Sequence, residues 1–403
     1  MLSTIHTDIL IIGAGPAGAS ASHFLAKAGV SHVIVDAAEF PRDKICGDGL
    51  DMKVFRVLNQ LNPEALQSLF AHPELELTYG LRFIQPDRRE VNWIHKPTPL
   101  THPSNCVMKR THFDAFMVDL IDKRFADFRT KTKVTKLRRK ESGGWIAETA
   151  NGLEIHTKLL IGADGDHSLV LHTIGDRKIN RRHYCAALRQ YWTGVEGFHP
   201  EKLLEVYVPA KKPMSYFWLF PLPNGEANIG YGMVSELAAK TGENLRETFK
   251  DLIQNDPVLA HRFANAKPLE TVKGWGIPMA SNPDRVNAGK DYLLVGDAAS
   301  HNNPANGEGI GSGMISGILA AKFAEQALVT GNQDHFGKYD AELRRRLADE
   351  IKVYNFLMRW QLWRVQDWML PFATRVYDFQ KRLDKYAPTW VQTVYERPVT
   401  VEF

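Results

Sequence analysis

Residues 8–29 read DILIIGAGPAGASASHFLAKAG. Residues 8–12 are a short apolar run of the kind that sits inside a parallel sheet, buried on both faces. The glycines of GAGPAG follow at 13, 15 and 18, and a helix of small residues comes next. Gly13 permits a tight turn, Gly15 lets backbone approach a pyrophosphate, and Gly18 lets helix and strand pack closely. A second strand, HVIVD, ends at Asp36, 18 residues past Gly18, where a carboxylate can accept ribose hydroxyls. The helix start brings free N–H groups and a positive dipole end to the phosphates, and Gly13, Ala14, Gly15, Pro16, Ala17 and Gly18 make up the cofactor-binding turn. An isolated GxGxxG is weak evidence. Strand, glycines, helix, second strand and acid in register make a nucleotide-binding βαβ unit.

Composition leaves room for such a fold. The chain has 403 residues, 44% of them hydrophobic, enough for two or three domains or one large cofactor fold with an inserted lobe. Fifty basic residues face 46 acidic ones, a balance unlike that of a nucleic-acid binder. Cys46, Cys106 and Cys185 are an odd, scattered set. They form neither a disulfide framework nor a CxxC metal site, which favours a reducing compartment and no metal. The N-terminus lacks the basic start and cleavage site of a signal peptide. No charge-free run of about 20 apolar residues reads as a spanning helix.

Two later stretches indicate which nucleotide. LLIGADG (159–165) is an apolar strand ending at Asp164 and Gly165. YLLVGDAASHNNPANGEGIGSG (292–313) is another, followed by Gly296, Asp297, Pro304 and a glycine-rich helix start. Together with GAGPAG they resemble the flavoprotein group that includes para-hydroxybenzoate hydroxylase. The resemblance implies FAD, with Asp297 bonded to its ribityl or ribose part, and with Gly307, Gly309 and Ile310 at the isoalloxazine edge. A helix N-cap is the plainer reading of Asp297, but it leaves the proline and three glycines unexplained. VMKRTHFDAFMVDL (107–120) is similar to the group's R-x-x-F-D-x-x-L helix, which implies that Arg110 reaches the FAD; a surface arginine on an amphipathic helix is the bland alternative. In KTKVTKL (131–137), Val134 stands where family members touch the adenine side. RTKTKVTKLRRK (129–140) reads as the solvated face of a hairpin.

The fold class expected is α/β with an α+β substrate lobe: a Rossmann-like FAD-binding domain, an inserted antiparallel-sheet substrate domain and a helical C-terminal segment. The FAD domain would take residues 1–75, 106–175 and 285–330, the substrate domain 76–105 and 176–284, and the helical region 331–403. No second GxGxxG marks a nicotinamide domain, so NAD(P)H docking transiently and an electron-carrier protein both stand open as reductant.

PRDKICGDGL (41–50) places a cysteine before a Gly-Asp-Gly turn. PMSYFWLFP (213–221) fits the pattern P-x-x-Y-x-W-x-F-P through Pro213, Tyr216, Trp218, Phe220 and Pro221. With GEANIGYG and GWGIPMA these motifs resemble the geranylgeranyl reductase family of FAD-dependent oxidoreductases. That resemblance covers roughly residues 5–330. It implies saturation of isoprenoid double bonds, a hydrophobic or lipid substrate, and Cys46 close to the flavin, with Arg42, Lys44 and Gly47 beside it in the cofactor loop. From the residues alone, Tyr216, Trp218 and Phe220 alternate, so one strand face carries an apolar wall suited to an isoprenoid or an aromatic ring. The Tyr216 hydroxyl could orient substrate or shuttle a proton. Packing of the sheet on its own core is the plainer reading. Cys46 stands open between buried packing and a proton-donor or structural place at the flavin; Arg42 and Lys44 would favour its thiolate. The catalytic candidates are therefore Cys46, Tyr216 and Trp218.

A monooxygenase hydroxylating an aromatic or polyketide shares the fold and stays open, as does a purely FAD-binding or electron-transfer module. The halogenase motif W-x-W-x-I-P is absent: GWGIP has one tryptophan. Phe356, Trp360 and Trp363 follow helical spacing, and Pro371 would break that helix. The expectation is a C-terminal helix packed on its own domain; a cap over the pocket or a surface helix on a membrane is the alternative. His301 departs from the small residue usual after GDAAS, while His167 and His183 read as surface or loop positions. The overall expectation is a cytoplasmic protein, with peripheral contact at the inner face of the membrane if the substrate is a lipid.

Overall fold

The computed structural model describes residues 3–94, 103–175, 178–360 and 399–400. Trp363 and Pro371 lie outside them.

The first strand, Ser3–Ile12, is extended because Ile9, Leu10 and Ile11 are fully buried from both sides. It runs parallel to Leu153–Gly162 on one side and to His32–Val35 on the other, with Ile11 opposite both Ile161 and Ile34. Ala126–Arg129 continues the sheet past His32–Val35, and Tyr292–Leu294 continues it past Leu153–Gly162. An antiparallel hairpin, Val134–Arg139 with Trp145–Thr149, joins its side. This is the parallel sheet the βαβ motif requires, and the mixed α/β class expected from the motifs is the one observed.

Glycines set the spacing of the layers. A Cβ on Gly13, which has φ +100°, would stand 2.3 Å from the Ala163 carbonyl oxygen. The helix Ile310–Thr330 crosses Pro16–Lys27 so closely that a Cβ on Gly317 would come within 2.2 Å of the Ala17 carbonyl oxygen. The contact atom is backbone and cannot swing aside.

A second sheet is largely antiparallel. Its order is Lys267–Pro268, Tyr184–Thr193, Glu226–Val234, Ser215–Pro221, Leu204–Tyr207, Gly80–Ile84 and Glu90–Ile94, with Lys273–Pro278 also on Tyr184–Thr193. One face carries Phe217, Leu219, Ile229 and Tyr231 into a core shared with Phe249 and Leu259. Three short strands, Gly49–Asp51, Asn105–Val107 and Glu76–Thr78, form a small sheet directly after the cysteine loop.

The helix Ala348–Arg359 packs through Tyr354 and Met358, while Val353, Phe356 and Trp360 are exposed. The apolar face picked out by periodicity is thus the outward one. The chain returns at Val399, which is buried; its N–H donates to Gln60 Oε1 and its carbonyl accepts from Lys322 Nζ. Among the described residues no helix is long and apolar enough to cross a membrane.

Gly317→Val is expected to cost about 1–3 kcal/mol by overpacking the helix crossing, and to lower retained flavin with it. Urea unfolding followed with and without added FAD checks this; an unchanged midpoint would contradict the close crossing.

Candidate flavin and substrate site

The helix Pro16–Lys27 starts with Gly15 as N-cap, no side-chain cap and no acid in its first turn. Its free N–H groups therefore remain available to an anion. Arg42 stands beside that opening: a Cβ on Gly15 would be 3.6 Å from its Nη2. The guanidinium bonds Asp114 at 3.0 Å and lies 3.8 Å from Asp36. Asp36 accepts N–H groups from Ala14 and Ala38, each at 2.8 Å, which fixes its carboxylate at the strand end. Thr132 N–H donates to the Asp36 carbonyl, bringing the start of the Val134 strand to the same corner. Donors at the helix opening, a cation beside them and a fixed carboxylate match the pyrophosphate and ribose of FAD.

Other residues of the cofactor set are engaged within the protein. Asp164 Oδ2 accepts N–H groups of Leu169 and Val170, and its Oδ1 is buried without a partner. Gly165, with φ +77°, has open space where a Cβ would be. Arg110 spends its side chain on Asp114, at 2.6 and 2.8 Å within its own helix. Asp297 sits in the short 3-10 turn Gly296–Ala299 and accepts from Asn302 Nδ2 at 3.0 Å. Pro304 is buried, and Gly307, Gly309 and Ile310 lead into the long helix. A Cβ on Gly309 would collide with Asn302 Oδ1 at 1.7 Å.

The cysteine loop is gripped from the second sheet. Asp43 takes Arg189 at 3.0 Å and Lys273 at 2.7 Å. Glu270 pairs with both cations as well. Lys44 lies over the Trp275 ring at 3.8 Å; burial lowers its pKa, and Asp297 opposes that shift. Asn228 Nδ2 donates to the Cys46 carbonyl and to Asp48 Oδ2, both at 2.8 Å. Tyr191 Oη donates to the same carboxylate at 2.6 Å, and Asp48 is fully buried. Burial pushes its pKa up to about 6, against the hydrogen bonds of Tyr191 and Asn228.

Tyr216, Trp218 and Phe220 share the sheet face opposite Phe217 and Leu219, with ring centroids 5.9 and 6.5 Å apart in sequence order. Trp218 Nε1 donates to Asn228 Oδ1 at 2.9 Å. Tyr216 Oη donates to the Asn306 carbonyl at 2.8 Å, and burial raises the phenol pKa. A Cβ on Gly47 would lie 3.5 Å from both Phe220 and Trp218. The wall and the cysteine loop are therefore in contact. Gly230 makes room for the indole: a Cβ there would be 2.0 Å from Trp218 Cζ2.

Burial pushes the Cys46 thiol above its ordinary value; Arg110 pulls the other way and Asp48 adds to the rise. The basic neighbours do not make a thiolate, because desolvation outweighs them. His183 is buried, with Nδ1 at 2.9 Å from Ser281 Oγ, and is not a surface residue. His167 is exposed, edge-on to Trp275. His301 is buried with Nε2 unpartnered, and burial lowers its pKa to about 4, so it is neutral. Among the described residues no cluster could hold a metal. Sequence reasoning gave no role to Asp48, Tyr191, Asn228 or the pair Lys53–Glu308, which bond at 2.8 Å beside the helix start. An aspartate between two glycines was the available signal for Asp48.

A family model described as an FAD binding domain matches residues 6–352. The menaquinone reductase of Mycolicibacterium smegmatis is 30% identical over 376 residues, covering 87% of this chain and 86% of the relative. The chain belongs to the geranylgeranyl reductase family of FAD-dependent oxidoreductases. Within this family, digeranylgeranylglycerophospholipid reductase 1 of Methanothermobacter thermautotrophicus is 26% identical over 409 residues, covering 100% of this chain and 95% of that one. The fold is shared with a geranylgeranyl bacteriochlorophyll reductase-like protein of Thermoplasma acidophilum, at a TM-score of 0.77 and 21% identity over 99% and 94% of the two chains. As a family member the chain is an FAD-dependent reductase.

Gly230→Ala should displace the Trp218 indole from Asn228 at a cost of about 1–3 kcal/mol. Tryptophan emission, compared with a Gly230→Ala/Trp218→Phe pair, reads this; an unshifted Trp218 component would contradict the contact.

Proposed function

We propose that this reductase saturates carbon–carbon double bonds in the isoprenoid chain of a lipid or quinone. The observation that carries the reading is the contact between the cysteine loop and the Tyr216–Trp218–Phe220 wall. Bound FAD, once reduced, supplies a hydride. Trp218 and Phe220 offer a flat apolar surface that seats an alkene and excludes water. Cys46, still protonated at neutral pH, gives its proton to the alkene carbon that does not receive hydride, and solvent reprotonates the thiolate. Tyr216, anchored on the Asn306 carbonyl, keeps the wall against the loop that leads into the long helix. The cofactor residues in this proposal are those of the helix opening, with Asp36, Arg42, Lys44, Asp297 and the backbone at 307–310.

A long isoprenoid lipid has to be drawn from a bilayer or a carrier. Peripheral contact with the inner face of the membrane by a cytoplasmic protein is part of the same proposal, with NAD(P)H or an electron-carrier protein as reductant.

Product mass after a single turnover tests the reading, with the flavin reduced and a prenylquinone or a geranylgeranyl lipid added, once without oxygen and once in air. A gain of two hydrogens without oxygen is expected. Oxygen-dependent gain of one oxygen atom would contradict it and favour hydroxylation. Cys46→Ser is expected to lower turnover by roughly 100-fold or more at unchanged FAD content. Equal losses of both would make Cys46 structural.

A further inference from the structure

We propose that Asp48 is a positioning residue for the reduction: its buried carboxylate ties the Cys46 thiol to the substrate sheet and adds, beside burial, a negative charge that favours the protonated thiol. The inference rests on the reading of Cys46 as proton donor.

The geometry converges on one side chain. Asp48 is held at φ +64°, a left-handed conformation that non-glycine residues adopt only when the surroundings enforce it. Its backbone N–H donates to Cys46 Sγ at 3.4 Å, so its backbone orients the thiol directly. Its carboxylate is received from three separate elements. Tyr191 Oη comes from the strand Tyr184–Thr193, Asn228 Nδ2 from Glu226–Val234, and the backbone N–H of Arg110 from the helix start, the last at 3.3 Å. Asn228 completes the link by accepting from Trp218 and donating to the Cys46 carbonyl. Thiol and wall are thus two ends of one hydrogen-bonded chain through Asp48.

Charge points the same way. The groups facing the Cys46 thiol are Arg110 from the helix and Lys44 and Asp48 from its own loop, with the Tyr216 hydroxyl from the wall. Burial is the largest influence that keeps the thiol protonated; Arg110, Lys44 and the Asp48 N–H bond favour a thiolate, and the Asp48 carboxylate adds its charge on the side of burial. Arg189, stacked 4.0 Å over the Tyr191 ring, backs the carboxylate from behind. A thiolate could not protonate an alkene, so this balance matters to the chemistry.

The test uses the flavin-loaded protein and reads the Cys46 S–H stretching band by difference infrared against Cys46→Ala. Removing the negative charge makes the thiolate less costly, so Asp48→Asn is expected to lose the S–H band at lower pH than wild type. Tyr191→Phe, which leaves the carboxylate in place but weakens its ionised form, is expected to lie between them. It also carries the comparison if Asp48→Asn does not fold. In the turnover assay Asp48→Asn should lower kcat roughly 10–100-fold with little change in KM. An S–H titration unchanged in both variants, with activity falling only as melting temperature falls, would overturn the proposal. Should wild type reduce no alkene, the functional reading fails, while the infrared comparison still decides whether Asp48 governs the thiol.

Discussion

A carboxylate withdrawn from water is costly unless hydrogen bonds replace the lost solvation. Asp48 is fully buried, and its replacements come from strands of the other sheet. That requirement locks the cysteine loop against the second sheet. Without Tyr191 and Asn228 the carboxylate keeps only the Arg110 backbone N–H; without Asp48 the Tyr191 hydroxyl loses its acceptor and Asn228 keeps only the Cys46 carbonyl. The ion pairs of Asp43 with buried Arg189 and with part-exposed Lys273 extend the same closure, and the Lys273 pair contributes less because water screens it.

The cofactor half depends on backbone approach. Gly13, Gly18 and Gly317 stand where any Cβ would strike backbone atoms, so the parallel sheet, the first helix and the long helix Ile310–Thr330 can pack this closely. In the second, largely antiparallel sheet glycine has a different task. Gly230 clears space for the Trp218 indole, which lets one large ring lie flat across a neighbouring strand and still reach Asn228. The two halves meet where the loop 41–50 touches this ring.

The cofactor fold was legible because its signals are local. Glycine spacing, apolar strands and a terminal acid lie within one βαβ unit, although two of the close approaches that demand glycine are to distant partners, Gly13 to Ala163 and Gly317 to Ala17. The aromatic wall was legible for the same reason, since period-two alternation places Tyr216, Trp218 and Phe220 on one face. The partners of Asp48 were not, because Tyr191 and Asn228 lie 143 and 180 residues away along the chain. Lys44 favours a thiolate at Cys46, as the flanking charge suggests, but burial outweighs it, and a sequence shows adjacent charges while hiding desolvation. The helix Ala348–Arg359 packs on the protein as expected, although through a different face. Its spacing marks an apolar stripe, yet Tyr354 and Met358 on another face make the packing contacts.

The central claim is that the flavin ring lies where the cysteine loop meets the aromatic wall. A crystal structure of the FAD-loaded protein measures this directly. The account predicts the isoalloxazine between residues 44–47 and 304–310, with Cys46 Sγ and the Trp218 ring facing its reactive edge and Asp48 still bonded to Tyr191 and Asn228. A ring bound away from the loop, or a Cys46 side chain turned out of the cavity, would contradict it.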